Sequence, residues 1–191
     1  HALAEERGVS ILTTFRQGDA DEPGLPFDDE TFDVVISEGS FCTFPDRTAT
    51  AAEMARVLRN PEPAEGKSGG RLGLTDITAS GPLPEDVHTL LSWIVCIADV
   101  DTPEGYVETL RQADFTDFTV QDQRNALLDL VTDIRRKLLG AEIAAGLGKL
   151  DRGDIDLNET KRLARRSAEL IQEGSVGYTL IVARKKRTQA D

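Results

Sequence analysis

The chain has 191 residues, with 22 Lys and Arg against 34 Asp and Glu, and a net charge of −12. A surface this acidic excludes nucleic-acid binding driven by phosphate contacts, which needs a positive face. The length suits one domain with its own core, no run of ~18 apolar residues offers a membrane-spanning helix, and Cys42 and Cys96 are too few for a disulfide framework.

The opening residues, HALAEERG, read as the tail of a helix stopped at Gly8. Such a charged start is unlike an apolar leader, so a cytoplasmic, reducing setting is expected. A chain that opens inside a helix also suggests further sequence upstream. Residues 11–20 are expected as a strand entering a turn at Gly18-Asp19, followed by a loop with Pro23, Gly24 and Pro26. Residues 32–37 (FDVVIS) form a β-branched apolar run, suited to a strand covered on both faces. Residues 48–59 place Ala51, Met54, Ala55 and Leu58 at helical spacing behind Asp46 as N-cap. Residues 71–77 (RLGLTDI) read as the next strand. Strand, helix, strand is the crossover of a parallel sheet, whose ligands bind beyond the carboxyl ends of the strands. Asp19, Glu38 and Asp76 are expected at three such ends.

Beyond this unit, residues 60–70 (NPEPAEGKSGG) read as a surface loop. Residues 82–98 put Leu83, Val87, Leu90, Leu91, Ile94 and Val95 on one helical face and are expected as a lid over the carboxyl edge of the sheet. Thr102-Pro103 starts a helix with Tyr106, Val107 and Leu110 inward. A strand is expected at 118–121, amphipathic helices at 125–139 and 158–173, and a last strand at 177–183. Residues 122–173 would then be a helical insertion before that strand. Two histidines and two cysteines leave little material for a zinc site, and Asp28-Asp29-Glu30 reads as a solvated acidic loop. No metal site is expected.

Taken together, GDA, LPF, FDVVIS, RVLR and GGRL stand in the order and spacing of the class I S-adenosylmethionine-dependent methyltransferases, and residues 2–121 resemble that family. The resemblance implies an α/β, Rossmann-like, doubly wound and mostly parallel sheet with an antiparallel last strand and added C-terminal helices, in one N-terminally incomplete domain over 1–191. It implies S-adenosylmethionine as cofactor and a small-molecule acceptor. It also implies that Asp19 accepts a hydrogen bond from the adenine amine, with the Ala20 backbone beside it. Glu38 and Gly39 would line the sulfonium side, and Asp76 the substrate mouth. A carboxylate suits an exocyclic amine because it only accepts. Taken alone, Asp19 reads equally well as a turn residue after glycine. The family's glycine-rich first turn, and the acid that ends its second strand, have no counterpart in this sequence.

The second half is most similar to arsenite methyltransferases, through Thr75-Asp76-Ile77, Pro82-Leu83-Pro84, Cys96 and Gly105-Tyr106-Val107. That likeness implies a substrate side made of Cys42, Asp76, Trp93 and Cys96, with two thiolates able to hold a soft centre. Each cysteine reads more simply as a small buried apolar residue, and Trp93 as core or pocket wall. His88 reads as solvent-facing. Methyl transfer from a sulfonium needs alignment and exclusion of water more than acid–base chemistry, so no catalytic residue is assigned. Two other readings stay open. One is a non-catalytic interaction protein that keeps the fold without a complete cofactor site. The other is a homodimer packed through the helix at 125–139.

Overall fold

Four runs rich in apolar and β-branched residues form one sheet: β1 (Val34–Glu38), β2 (Arg71–Ala79), β3 (Phe115–Asp122) and β4 (Val176–Lys185). Their spatial order is β1-β2-β4-β3. The computed structural model describes residues 2–21, 24–62, 66, 68–83, 100–146 and 157–186. β1 and β2 run parallel, with Val34 opposite Arg71 and Glu38 opposite Thr75. β4 is antiparallel to both β2 and β3, so the sheet is mixed.

The helices start where the sequence supplies caps. Asp46 accepts a hydrogen bond from the Ala49 amide at 2.9 Å and opens α2 (Arg47–Val57), which joins β1 to β2. The Thr102 hydroxyl accepts from the Gly105 amide at 3.0 Å and opens α3 (Pro103–Gln112), with Pro103 in the first turn, where its missing N–H costs nothing. A short α1 (Ala2–Glu6) precedes the sheet. α4 (Arg124–Gly146) and α5 (Leu157–Glu173) pack together between β3 and β4.

Alternation along β2 decides which helix covers which face. Leu72, Leu74, Asp76 and Thr78 are buried on one face. There Leu72, Leu74, Ile181 and Ala183 meet Ala51, Met54 and Ala55 of α2 and Tyr106 and Leu110 of α3. Each fully buried leucine contributes roughly 1.5–3 kcal/mol, so this layer is the main source of stability. Ile77 and Val176 pack with Val131, Leu170 and Ile171 in a second, smaller core.

Three expectations change. Residues 11–20 hold no strand: Ser10–Leu12 is a 3₁₀ turn, the rest is irregular, and Ile11 is 91% exposed. A strand needs a neighbour for its amide groups, and none of the described strands pairs there. FDVVIS is not covered on both faces. β1 is an edge strand with Ile36 77% exposed, because β2 is its only partner among the described residues. It follows that Asp19 does not end a strand, and that Asp76 lies inside β2, three residues before Ala79. The expected lid at 82–98, with His88, Trp93 and Cys96, falls outside the described residues apart from its first two positions.

Candidate active site

The loop after Asp19 is held from α2 by one ion pair. Glu53 and Arg56 sit a turn apart on the helix and bond through Oε1 and Nε at 2.7 Å. The Arg56 guanidinium reaches on to the Leu25 carbonyl at 3.0 Å, the Phe27 carbonyl at 2.9 Å and the Asp29 carboxylate at 2.7 Å. Glu53 Oε2 in turn accepts from the Leu25 amide at 2.8 Å. Gly24 makes this approach possible: at φ +104, an added Cβ would lie 2.5 Å from Glu53 Oε2. The hydrogen bond from Arg56 and the bond from the Leu25 amide hold the Glu53 carboxyl below the usual range, against the opposing effect of burial. A second arginine braces the other arm. Arg16 donates to the Pro26 carbonyl at 2.8 Å and stacks over Phe27 at 5.1 Å. On this loop Asp19 is exposed and Ala20 half-buried.

At the end of β1, Glu38 is exposed and Gly39 turns the chain at φ +57, a conformation that favours glycine. The Gly39 amide stays tied to β2 through the Thr75 carbonyl at 2.8 Å. The chain then enters a 3₁₀ turn, Phe41–Thr43, with Ser37 and Ser40 hydroxyls 3.0 Å apart beneath it. Asp76 fixes that turn. Its Oδ2 accepts from the Cys42 amide at 3.0 Å and its Oδ1 from the Ile77 amide at 2.8 Å, with the side chain fully buried. The structure therefore joins Cys42 and Asp76 through backbone, and joins Glu38 and Gly39 to the same strand.

Tyr106 closes the floor. It is fully buried, lies edge-on to Phe41 at 5.6 Å, and sits under the Arg47 guanidinium at 5.7 Å. Its hydroxyl donates to the Ile77 carbonyl at 3.3 Å and accepts from the Asp101 amide at 3.4 Å. Burial, with Asp76 and Cys42 nearby, pushes the phenol well above its ordinary pKa, against the opposing Asp101 amide. The phenol stays protonated at neutral pH, so it can donate a hydrogen bond but cannot serve as a base. Neither the Glu53–Arg56 clamp nor the Tyr106 hydroxyl was anticipated from sequence. The visible signal for the clamp was the i, i+3 acid–base pair on a half-buried helix face. Among the described residues, no group of His, Cys, Asp and Glu could hold a metal ion.

Residues 1–61 match the family described as methyltransferase domain. Over 176 residues the chain is 30% identical to the sarcosine/dimethylglycine N-methyltransferase of Halorhodospira halochloris, covering 92% of this chain and 57% of that protein. Residues 1–61 thus carry a methyltransferase-domain match, and the chain as a whole is similar to S-adenosylmethionine-dependent methyltransferases. Solved structures share the fold. A protein from Galdieria sulphuraria, assigned as a sarcosine dimethylglycine methyltransferase, superposes with a TM-score of 0.75 at 17% identity, over 97% of this chain and 64% of that one. Phosphoethanolamine N-methyltransferase 2 of Haemonchus contortus, solved with S-adenosyl-L-methionine, gives 0.67 at 17% identity, over 88% of this chain and 36% of that one. The chain spans a little over half the length of the curated relative it matches.

Proposed function

We propose that this chain is part of an enzyme that transfers a methyl group from S-adenosylmethionine to the nitrogen of a small amine. The observation that carries the reading is the 30% identity to a sarcosine/dimethylglycine N-methyltransferase, sustained along 92% of the chain. The residues present fit the adenine and sulfonium side of the cofactor. Asp19 offers an exposed acceptor on a loop anchored by Arg56 and Arg16, and Glu38 and Gly39 stand at the open end of β1. When bound, S-adenosylmethionine supplies a methyl group already activated on a sulfonium.

The chain's own residues then have positioning roles. Asp19 accepts the adenine amine, the acceptor-only chemistry a carboxylate provides. Asp76 holds the Gly39-to-Thr43 turn against β2, which fixes the substrate-side wall. Tyr106 keeps its proton and holds the Ile77 carbonyl, and catalysis rests on alignment and exclusion of water. Among the described residues no helix is long and apolar enough to cross a membrane.

Calorimetric titration with S-adenosylmethionine, followed by mass detection of methylated sarcosine or dimethylglycine, tests the reading. Asp19→Ala is expected to weaken cofactor binding by about 1–3 kcal/mol, the range for losing a desolvated hydrogen-bond partner. Unchanged affinity would remove Asp19 from the site. A second reading is a fold-keeping protein that binds partners without methyl transfer. Failure to bind S-adenosylmethionine at all would support it.

A further inference from the structure

Arg71 opens β2 and Arg184 lies one residue from the end of β4, and the antiparallel register sets them directly opposite. Such partners lie about 4.5–5.5 Å apart at Cβ on one face, where like charges destabilise a sheet. Nothing in the composition forces this pairing, since the chain carries 34 carboxylates and a net charge of −12. Yet among the described residues neither arginine has an ion-pair or side-chain hydrogen-bond partner. Both line an open cleft of about 660 Å³, together with Arg59, Asn60, Ser68 and Gly70. That volume falls within the range of small-molecule sites. Of the two carboxylates in the cleft, Asp33 is held by Arg59 at 2.6 Å. The buried Oδ1 of Asn60 has no partner, while its amide nitrogen donates to Glu30. The cleft lies at the amino end of β2, five residues from Asp76 and so about 16 Å from it along the strand.

We propose that Arg71 and Arg184 form a second binding site, for a small molecule carrying a phosphate ester. A guanidinium presents a planar fork that matches oxyanions bidentately. A dianionic phosphate neutralises both arginines and turns their repulsion into shared attraction, whereas a carboxylate neutralises only one. Ser68 adds a hydroxyl donor at the rim.

Titration calorimetry with glycerol 3-phosphate, inorganic phosphate and acetate tests the site. Glycerol 3-phosphate should bind in the millimolar range or tighter, with acetate about tenfold weaker. Arg71→Gln and Arg184→Gln should each weaken ester binding by about tenfold. Each also removes a like-charge contact, so without ligand both variants should melt at the parent's temperature or higher. Lys186→Gln, which removes a neighbouring charge outside the cleft, should keep the parent's affinity. The proposal is overturned by ester binding that survives in the double arginine variant, by an equal loss in Lys186→Gln, or by no binding to the parent. Inorganic phosphate binding without ester binding overturns the assignment to an ester. A lower melting temperature in both single variants would mark the pair as structural and also overturn the site.

Discussion

β1 and β2 lie side by side in parallel, yet their side chains meet different surroundings. On β2, Leu72, Leu74 and Asp76 are fully buried, while on β1 Ile36 is 77% exposed and Val34 is also open. By composition the order should be reversed, since FDVVIS is more apolar than RLGLTDI. The difference lies in neighbours. β2 has a strand on each flank and two helices over one face, whereas β1 has a single flank paired among the described residues. Apolar content sets what a strand can bury, and the elements packed on it set what it does bury.

Substitutions can sharpen or break that contrast. Leu74→Ala should cost about 3 kcal/mol in chemical denaturation, the usual range for a buried leucine whose cavity cannot collapse. Asp76→Ala comes next, at about 2 kcal/mol, because the Cys42 and Ile77 amides lose their acceptor in a buried place. Asp76→Asn keeps one carbonyl acceptor and should cost less. Arg56→Met should cost about 1 kcal/mol globally. Its clearer signature is faster hydrogen exchange at the Leu25 amide, once Glu53 loses the guanidinium that orients it. Ile36→Ala should fall within about 0.5 kcal/mol of the parent, as exposed positions usually do. An Ile36→Ala cost equal to that of Leu74→Ala would break the comparison.

The clamp also gives a pH signature. The folded-state pKa of Glu53 is depressed by Arg56. Its contribution is therefore fully present above the unfolded value of about 4.3, and is lost as pH falls through the lower folded value. Acid unfolding should steepen below about pH 4, and Glu53→Gln should flatten that segment of the curve. No change in slope would show that the clamp does not couple to folding.

The parts of the fold legible in sequence are those set by local chemistry. Asp46 and Thr102 announce their helices because a cap acts within three residues, and the alternation in RLGLTDI announces β2. The final strand was legible for the same reason, and its antiparallel direction through the family resemblance. Other features depend on partners far along the chain. The expected strand at 11–20 fails for want of a neighbour, a fact that no window of ten residues contains. The brace from Asp76 reaches a turn 34 residues away, and Arg56 reaches the Leu25 carbonyl 31 residues away. Read locally, Asp76 ends a strand at the substrate mouth; in the fold it lies within β2, buried, with both oxygens accepting from amides.

The two outer strands of the sheet differ in one more respect. β3 is interrupted by a bulge between Thr116 and Thr119, with Asp117 at φ 55 and Asp114, just before the strand, at φ 61. Kinked backbone and charge at an edge discourage another strand from adding there. β1 is regular over its five residues and has no such guard. Among the described residues, the edge of β1 therefore presents a regular row of unpaired amide and carbonyl groups, the geometry that accepts a further strand.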